Sequence, residues 1–274
     1  MIHFACADFA FPMLSHENSL RLIKMMGIDC VDIGLFQDRS HIQPSDQLDA
    51  PEKKGLFLKR KTEDLGLKIS DIFLQSSLDF TEVAINHPDA TIRAGQRDVF
   101  QRLCEYALAA GCSHVGGLPG AIFDENSWAI GRDELSWRAA YAKEHGLIYS
   151  IEAHWGSLLQ KPEDTLKMLK EADGLTLILD HSHYTFQGYD TESLRNLMPY
   201  ASHIHVRGAR KGEMQCSVAR NETDFAAVAE HMKSENYAGA ICLEYTYTDW
   251  ENCNRTDNVS ETITLMNLMK DLLL

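Results

Sequence analysis

The stretches KEHGLIYSIEA (residues 143–153) and EADGLTLILD (residues 171–180) contain the pattern that decides the fold of this chain. In each stretch a polar segment stops at a glycine, and a short run of β-branched and other apolar residues follows at once. Glycine is the usual residue just after a helix C-terminus, and a near-continuous apolar run is typical of a strand buried on both faces. Each stretch therefore predicts a helix that ends at the glycine and leads directly into a central strand of a parallel sheet.

The same junction of helix, glycine and strand recurs along the chain. It is repeated at Gly27, Gly66, Gly111 and Gly239. Two more strands are indicated by IHFACA (residues 2–7) and by ASHIHVR (residues 201–207), which follows the predicted helix TESLRNLMPY (residues 191–200). Eight strands that alternate with helices favour an α/β fold, a (β/α)8 TIM barrel, over a doubly wound sheet. We predict one domain that covers residues 1–274.

Composition and charge limit the classes of function. Hydrophobic residues make up 45% of the chain and charged residues 24%, which is typical of a protein with a sizeable core and excludes a mainly disordered chain. With 26 Lys and Arg against 40 Asp and Glu, the formal net charge is −14, and no basic patch is visible. Such a field repels nucleic acid and anionic lipid, so neither a nucleic acid nor a membrane is predicted as a partner.

Two further features bear on localisation and redox state. The N-terminal stretch MIHFACADFAF (residues 1–11) lacks the basic and apolar regions of a signal peptide, and no apolar window approaches the length of a membrane span. We therefore expect a cytoplasmic protein. The seven cysteines include no Cys-x-x-Cys pair, so they are predicted to be reduced packing residues rather than disulfides or zinc ligands.

Four consecutive predicted strands carry residues that can bind a metal near their ends. Glu152, Asp180 and Glu244 follow the apolar runs of the fifth, sixth and eighth strands, and His205 lies in the seventh. Active sites of TIM barrels collect at the carboxyl ends of the strands, where three buried carboxylates need compensating positive charge. Mn²⁺ suits these ligands, Mg²⁺ and Co²⁺ suit them too, and Zn²⁺ is less natural because it favours His and Cys. A network of ion pairs is the alternative to a metal site.

The segments around these residues resemble a known family. The segments are IEAHWG (151–156), LDHSHY (179–184), HIHVRGAR (203–210) and CLEYTY (242–247). They resemble the xylose isomerase-like sugar isomerases and epimerases over essentially the whole chain. The metal ligands that the resemblance implies are Glu152, Asp180, His205 and Glu244. It also implies that His183 contacts the substrate, and that Glu152 and Glu244 serve as catalytic base and acid on opposite sides of it.

The activity that the resemblance implies is a divalent-metal-dependent isomerisation or epimerisation of a small sugar, keto-sugar or sugar acid. In such a reaction a proton is transferred through an enediolate that the metal stabilises. A small-molecule carbohydrate is the expected partner. A homo-oligomer, either a dimer or a tetramer, is also expected because barrels of this superfamily often assemble in that way. The identity of the sugar, its phosphorylation and the choice between isomerase and epimerase stay open.

The chain departs from the family at a substrate-binding arginine. Many ketose epimerases of the group carry an arginine six residues after the histidine of the seventh strand, where this chain has Lys211. Strand alternation places Arg207 on the same face as His205, and Arg210 lies in the loop that follows. Both arginines are predicted to contact substrate, with a salt bridge at the rim as the alternative. His154 shares a face with Glu152 and is predicted to contact substrate or to pack.

Other functions stay open on the sequence alone. A metal-dependent lyase or dehydratase could act on a related keto-sugar, because the same enediolate can expel a leaving group. A non-catalytic sugar-binding module would use the barrel without turnover. An endonuclease of the same superfamily is disfavoured, because the third strand ends in Leu74 and Gln75 rather than in additional histidines, and because the net charge is negative.

Overall fold

The chain forms a closed barrel of eight parallel strands. A computed structural model describes residues 2–274. The strands are β1 (His3–Ala7), β2 (Cys30–Phe36), β3 (Lys68–Gln75), β4 (His114–Gly117), β5 (Ile148–Glu152), β6 (Thr176–Asp180), β7 (Ala201–Val206) and β8 (Ala240–Leu243). Each strand pairs in parallel with the next one along the chain, and β8 closes the barrel against β1. The predicted TIM barrel of class α/β is confirmed.

Helices surround the barrel and connect its strands. The α-helices are α1 (His16–Met25), α2 (Pro44–Gln47), α3 (Pro51–Glu63), α4 (Ala90–Ala110), α5 (Ser127–Glu144), α6 (Pro162–Glu171), α7 (His181–Gln187), α8 (Phe225–Ser234) and α9 (Asn258–Leu273). The segment predicted as a helix over residues 191–200 is a 3₁₀ helix over Glu192–Tyr200. Pro199 lies inside it and lacks the N–H that an α-helix would use, so the segment adopts the tighter form.

The glycines that suggested the fold end their helices in the predicted way. Gly146 and Gly174 have φ angles of 76° and 75°, in the left-handed region that a residue with a Cβ rarely adopts. The backbone of Leu147 returns to Ala142 through an N–H donated at 2.9 Å, which completes the helix end immediately before β5. The chain therefore turns from α5 into the barrel within three residues.

Two separate cores hold the barrel together. The larger one lies between the strands and the helices and includes Leu20, Leu103, Leu135 and Leu179. The interior of the barrel is instead filled by small and polar side chains, and hydrogen bonds cross it. His114 Nε2 lies 2.9 Å from Ser202 Oγ and 2.8 Å from Ser150 Oγ. These contacts connect β4 with β5 and β7 inside the barrel. They fix the positions of the interior side chains that support the layer nearer the carboxyl ends of the strands.

The loop after β3 is joined by hydrogen bonds to the segment that follows β4. Residues 76–89 contain no strand or helix, yet Asn86 is fully buried within them. The Asn86 amide donates to Ala121 O at 2.7 Å and to Ser127 O at 3.0 Å, and it accepts from Ala121 N at 2.9 Å. The loops after β3 and β4 are therefore joined at the carboxyl end of the barrel.

A glycine in β2 makes room for an aromatic side chain at this end. A Cβ at Gly34 would collide with the ring of Phe9, which belongs to the 3₁₀ turn Asp8–Ala10 after β1. The backbone N–H of Gly34 also donates to Asp8 Oδ1 at 2.9 Å. The sequence of β2 thus allows the turn after β1 to pack directly on the strand.

The structure also bears on the cysteines and on membrane spans. All seven cysteines are free and buried, as expected for residues that pack in the interior. Across residues 2–274, none of the helices combines the length and the apolar character that crossing a membrane requires.

Candidate metal and substrate site

The four predicted metal ligands meet at the carboxyl end of the barrel. Glu152 ends β5, Asp180 ends β6, His205 lies in β7 and Glu244 directly follows β8. Asp180 is the ladder partner of His205, and Glu244 N donates to Val206 O at 3.0 Å. Because adjacent strands hold them in register, the ligand atoms of all four residues lie within 4.8 Å of one another, and all four side chains are buried.

His205 is the centre of this group. Its Nδ1 lies 2.8 Å from Glu152 Oε1 and 3.5 Å from Glu244 Oε2. Its Nε2 lies 3.4 Å from Asp32 Oδ2, on the other side of the ring. Burial opposes a charge on the imidazole, but the carboxylates of Glu244, Asp32 and Glu152 raise the pKa of His205 well above its ordinary value. The ring is therefore oriented with one nitrogen toward the cluster and the other toward the barrel interior.

Asp32 supports His205 from below. Its Oδ2 lies 2.6 Å from Nε2 of His203, and its Oδ1 accepts from Ser70 Oγ at 2.5 Å. Although burial opposes ionisation, His203 and His205 hold the pKa of Asp32 well below its usual range. Sequence reasoning overlooked this residue, and the signal was available, since Asp32 is a carboxylate in the middle of the apolar run CVDIGLF (residues 30–36).

Arg207 is buried beside the same carboxylates. Its Nη2 lies 2.9 Å from Asp180 Oδ2, its Nη1 lies 3.5 Å from Glu244 Oε2, and its Nε donates to Ser182 Oγ at 2.9 Å. Despite the opposing effect of burial, Asp180 and Glu244 raise the pKa of the guanidinium, which stays charged. Arg207 therefore balances one of the negative charges in the cluster.

The remaining negative charge fits a divalent cation. Four buried carboxylates, those of Asp32, Glu152, Asp180 and Glu244, lie around His205 and Arg207, so the carboxylates outnumber the groups that can carry positive charge. Burial, and then the neighbouring Glu244, raise the pKa of Glu152 to about 7. Oε2 of Glu244 is buried and has no hydrogen-bond partner within residues 2–274. Three carboxylates and an imidazole are a donor set that Mn²⁺, Mg²⁺ and Co²⁺ accept, so the residues present could hold such an ion.

His183 and His154 form a wall next to the cluster, together with Trp250. Nδ1 of His183 accepts from Trp155 N at 3.2 Å, and its Nε2 lies 3.4 Å from Arg207 Nη2. The same Nε2 lies 3.5 Å from Asp180 Oδ2 and 3.8 Å from Glu152 Oε2. Burial lowers the pKa of His183 well below its ordinary value and lowers the pKa of His154 to about 4.

The imidazole rings of this wall stack on the indole. The ring centroids of His154 and His183 are 4.2 Å apart, and those of His154 and Trp250 are 5.0 Å apart. His154 Nδ1 lies 2.7 Å from Trp155 O, which leaves its Nε2 as an acceptor. Both predicted histidines therefore line the cavity.

The facing wall of the cavity is aromatic, and the sequence-based prediction did not include it. Phe9 meets Phe36 edge to face with centroids 4.7 Å apart, and Phe36 meets Phe73 in the same way at 5.6 Å. Arg39 and Gln75 stand at the edge of this wall and also line the cavity. Gln75 ends β3, so the strand-end rule used for β5 to β8 would have found it, whereas Arg39 lies three residues beyond the end of β2.

Arg210 is not brought to the cavity. Its backbone pairs with that of Glu213, and its Nε lies 3.7 Å from Glu222 Oε1 and 3.9 Å from Glu213 Oε2. The chain turns away from the barrel after Arg207, so that three residues further on the side chain faces carboxylates at the rim. Of the two predicted arginines, only Arg207 lines the cavity.

Comparisons with known proteins agree with this architecture. The family model of the xylose isomerase-like TIM barrel matches residues 20–269. Inosose dehydratase from Clostridium perfringens is 26% identical over 107 residues, which span 38% of this chain and 36% of that protein.

Two solved structures have the same fold. L-ribulose 3-epimerase has a TM-score of 0.78 at 16% identity, covering 100% of this chain and 95% of that one. D-psicose 3-epimerase from Clostridium cellulolyticum H10, solved with D-tagatose, has a TM-score of 0.79 at 14% identity, covering 100% of this chain and 99% of that one. At these identities the likeness concerns the fold.

Proposed function

The chain belongs to the xylose isomerase-like TIM barrel family, and we propose that it is a divalent-metal-dependent isomerase or epimerase of a small sugar, keto-sugar or sugar acid. One observation carries the proposal. Two carboxylates, Glu152 and Glu244, face the same nitrogen of His205 inside a buried cluster in which carboxylates outnumber cationic groups. The epimerase names of the two solved structures agree with this choice, because both proteins share the whole fold.

Glu152, Asp180, His205 and Glu244 would hold the metal. A bound Mn²⁺, Mg²⁺ or Co²⁺ would polarise the substrate carbonyl and make the neighbouring C–H more acidic. The ion would also offset the excess negative charge of the buried carboxylates. A bound ion would therefore both fill the coordination site and compensate the charge of its ligands.

Proton transfer is assigned to the two glutamates. Oε1 of Glu152 is directed at His205, so Oε2 is the oxygen left to take a proton from the carbon next to the carbonyl. The electron pair of that C–H bond moves toward the carbonyl oxygen. Glu244, from its place after β8, would take up a proton from water and return it to the opposite face for epimerisation. For isomerisation it would return that proton to the neighbouring carbon, while the hydroxyl proton passes to the former carbonyl oxygen and Glu152 releases its proton to water.

Other cavity residues orient the substrate. His183 would contact a sugar oxygen through Nε2, because its other nitrogen accepts from Trp155 N. His154 offers an acceptor, and Arg207 presents a guanidinium already fixed by Asp180 and Ser182. Trp250 and the phenylalanine wall can exclude water from the reacting carbons.

A screen of solvent proton exchange tests the proposal. The protein, loaded with Mn²⁺, is incubated in D₂O with ketoses, aldoses and keto-sugar acids, and deuterium incorporation is followed by NMR together with product mass. We expect deuterium at one carbon next to the carbonyl and a product of unchanged mass. Loss of one water from the product would identify a dehydratase, and no incorporation with any sugar would contradict the proposal.

A further inference from the structure

Arg39 is a cation at the cavity without a carboxylate partner. The chain has an excess of acidic residues, 40 against 26 basic ones, and Arg207 in the same cavity contacts two of them. Within residues 2–274, no Asp or Glu oxygen lies within ion-pair distance of Arg39. Its recorded contacts are a hydrogen bond to Gln75 Oε1 at 3.3 Å and the face of Phe36, whose centroid lies 4.6 Å from Cζ.

The turn after β2 fixes the position of Arg39. Arg39 N donates to Phe36 O at 3.2 Å, and Phe36 N donates to Ser40 Oγ at 2.9 Å. Asp38, between them, has a φ of 58° in the left-handed region, which is uncommon for a residue other than glycine. The backbone is therefore held in a tight turn by its own hydrogen bonds, and the turn directs the residue at position 39 along the cavity edge.

Gln75 orients the guanidinium. Its Nε2 donates to Ser77 O at 3.0 Å, so its Oε1 is the atom that faces Arg39. Phe36 supports the guanidinium from below and is itself held between Phe9 and Phe73. The remaining N–H groups of Arg39 are available to a ligand in the cavity.

The unpaired guanidinium indicates what this ligand would carry. Arg39 is an exposed residue that lines the cavity, and no Asp or Glu within residues 2–274 forms an ion pair with it. A guanidinium recognises carboxylate and phosphate groups through paired N–H donors. We propose that the substrate is a sugar acid or another anionic sugar, and that Arg39, oriented by Gln75, binds its anionic group. This inference rests on the proposed function, because it concerns the substrate of the same site.

Matched neutral and anionic probes test this assignment. Binding to the Mn²⁺-loaded protein is measured by calorimetry for D-fructose, D-fructuronate, 2-keto-D-gluconate and D-fructose 6-phosphate. We expect at least one anionic probe to bind roughly tenfold or more tightly than D-fructose, the ratio typical of a charge-assisted contact. The two carboxylates and the phosphate separate a sugar acid from a sugar phosphate.

Three variants test whether the side chain of Arg39 causes the preference for anionic probes. In Arg39→Gln the affinity for the preferred anion should fall about 10- to 100-fold, while the affinity for D-fructose and the Mn²⁺ content stay unchanged. Arg39→Lys should keep part of the preference, because it retains the charge but loses the paired donors. Arg60→Gln is the matched control, since Arg60 is exposed on α3 and lines no part of this cavity.

The proposal is overturned if the wild-type protein binds no anionic probe more tightly than D-fructose. It is also overturned if Arg39→Gln weakens neutral and anionic probes equally. A protein that retains the anion preference and its dependence on Arg39, but exchanges no proton with any sugar, would contradict the proposed function and leave Arg39 as the anion-binding residue.

Discussion

Oδ2 of Asp32 lies 3.4 Å from Nε2 of His205, across the imidazole from the nitrogen that faces Glu152. The same oxygen lies 2.6 Å from His203 Nε2, so one carboxylate connects two layers of the barrel interior. A carboxylate that faces the far nitrogen of a metal-binding imidazole favours the tautomer with the proton on that nitrogen. Asp32 therefore prepares His205 for a role at Nδ1.

The first prediction concerns this contact. Asp32→Asn should lower the affinity for Mn²⁺ about 10- to 100-fold, because His205 loses the negative charge that faces its Nε2. Equilibrium dialysis measures the affinity, and circular dichroism checks that the barrel is intact. Asp71→Asn is the control, since Asp71 is a buried interior carboxylate that contacts His114 at 2.6 Å. Equal Mn²⁺ affinity of Asp32→Asn and wild type would exclude the role assigned to Asp32.

The second prediction separates proton transfer from packing at Glu244. Glu244→Gln should reduce solvent deuterium exchange by more than about 100-fold, because it removes both an acid–base group and a charged ligand. Mn²⁺ binding should weaken in the same variant. Glu230→Gln, on the exposed face of α8, should change neither quantity. Full Mn²⁺ content and full exchange in Glu244→Gln would remove Glu244 from the site.

The third prediction uses the metal to test the charge of Arg207. Arg207→Met leaves buried carboxylates without their partner and should destabilise the metal-free protein by about 3–5 kcal/mol. Added Mn²⁺ should then raise the melting temperature of the variant more than that of wild type, because the ion replaces the missing positive charge. Calorimetric melting with and without Mn²⁺ measures both effects. An equal Mn²⁺ effect in the two proteins would mean that the guanidinium does not share the charge of the cluster.

The fourth prediction compares one substitution at two glycines. Gly34→Ala should destabilise the protein by about 1–3 kcal/mol, because its Cβ collides with Phe9 and displaces the aromatic wall. Gly95→Ala should instead stabilise it by about 0.5–1 kcal/mol, because Gly95 lies inside α4 and a Cβ there meets no atom within 4 Å. Denaturant unfolding of both variants measures the difference. Effects of the same sign would show that the packing of Phe9 on β2 is loose.

The fifth prediction concerns the thiols. Burial raises the pKa of every cysteine, to about 12 for Cys104 and to about 11 for Cys216, so little thiolate forms near neutral pH. The native protein should therefore not react with a disulfide reagent such as DTNB at pH 8. All seven thiols should react after unfolding in denaturant. A fast stoichiometric reaction in the native state would identify an accessible thiol that the fold does not account for.

The residues at the carboxyl ends of β5 to β8 could be predicted because the sequence pattern that indicates the strands also indicates where each strand ends. Each glycine stop fixes where a strand begins, and the length of the apolar run then fixes where it ends. Glu152, Asp180 and Glu244 stand directly at those ends, so their meeting required only that the strands form a barrel. Their distances to His205 follow from the register of neighbouring strands.

The other side of the cavity could not be predicted in the same way. Arg39 lies three residues beyond β2, and its direction depends on the left-handed conformation of Asp38. Arg210 lies four residues beyond β7, and its direction depends on a backbone pairing with Glu213. Spacing along the chain does not determine either turn. Phe9 reaches the cavity only because Gly34 lacks a Cβ. This contact joins the turn after β1 to strand β2, so no local sequence pattern indicates it.

The turn from Phe36 to Ser40 has a consequence for how the proposed substrate preference could be changed. Its hydrogen bonds lie within residues 36–43 and reach Gln75 at the end of β3, whereas the groups assigned to proton transfer belong to β5 and to the residue after β8. On the assignments proposed above, a new side chain at position 39 would alter which sugars bind while the proton-transfer groups keep their strand positions. Substrate selection and proton transfer would then be supported by separate parts of one barrel, and engineering could change the first while the second stays in place.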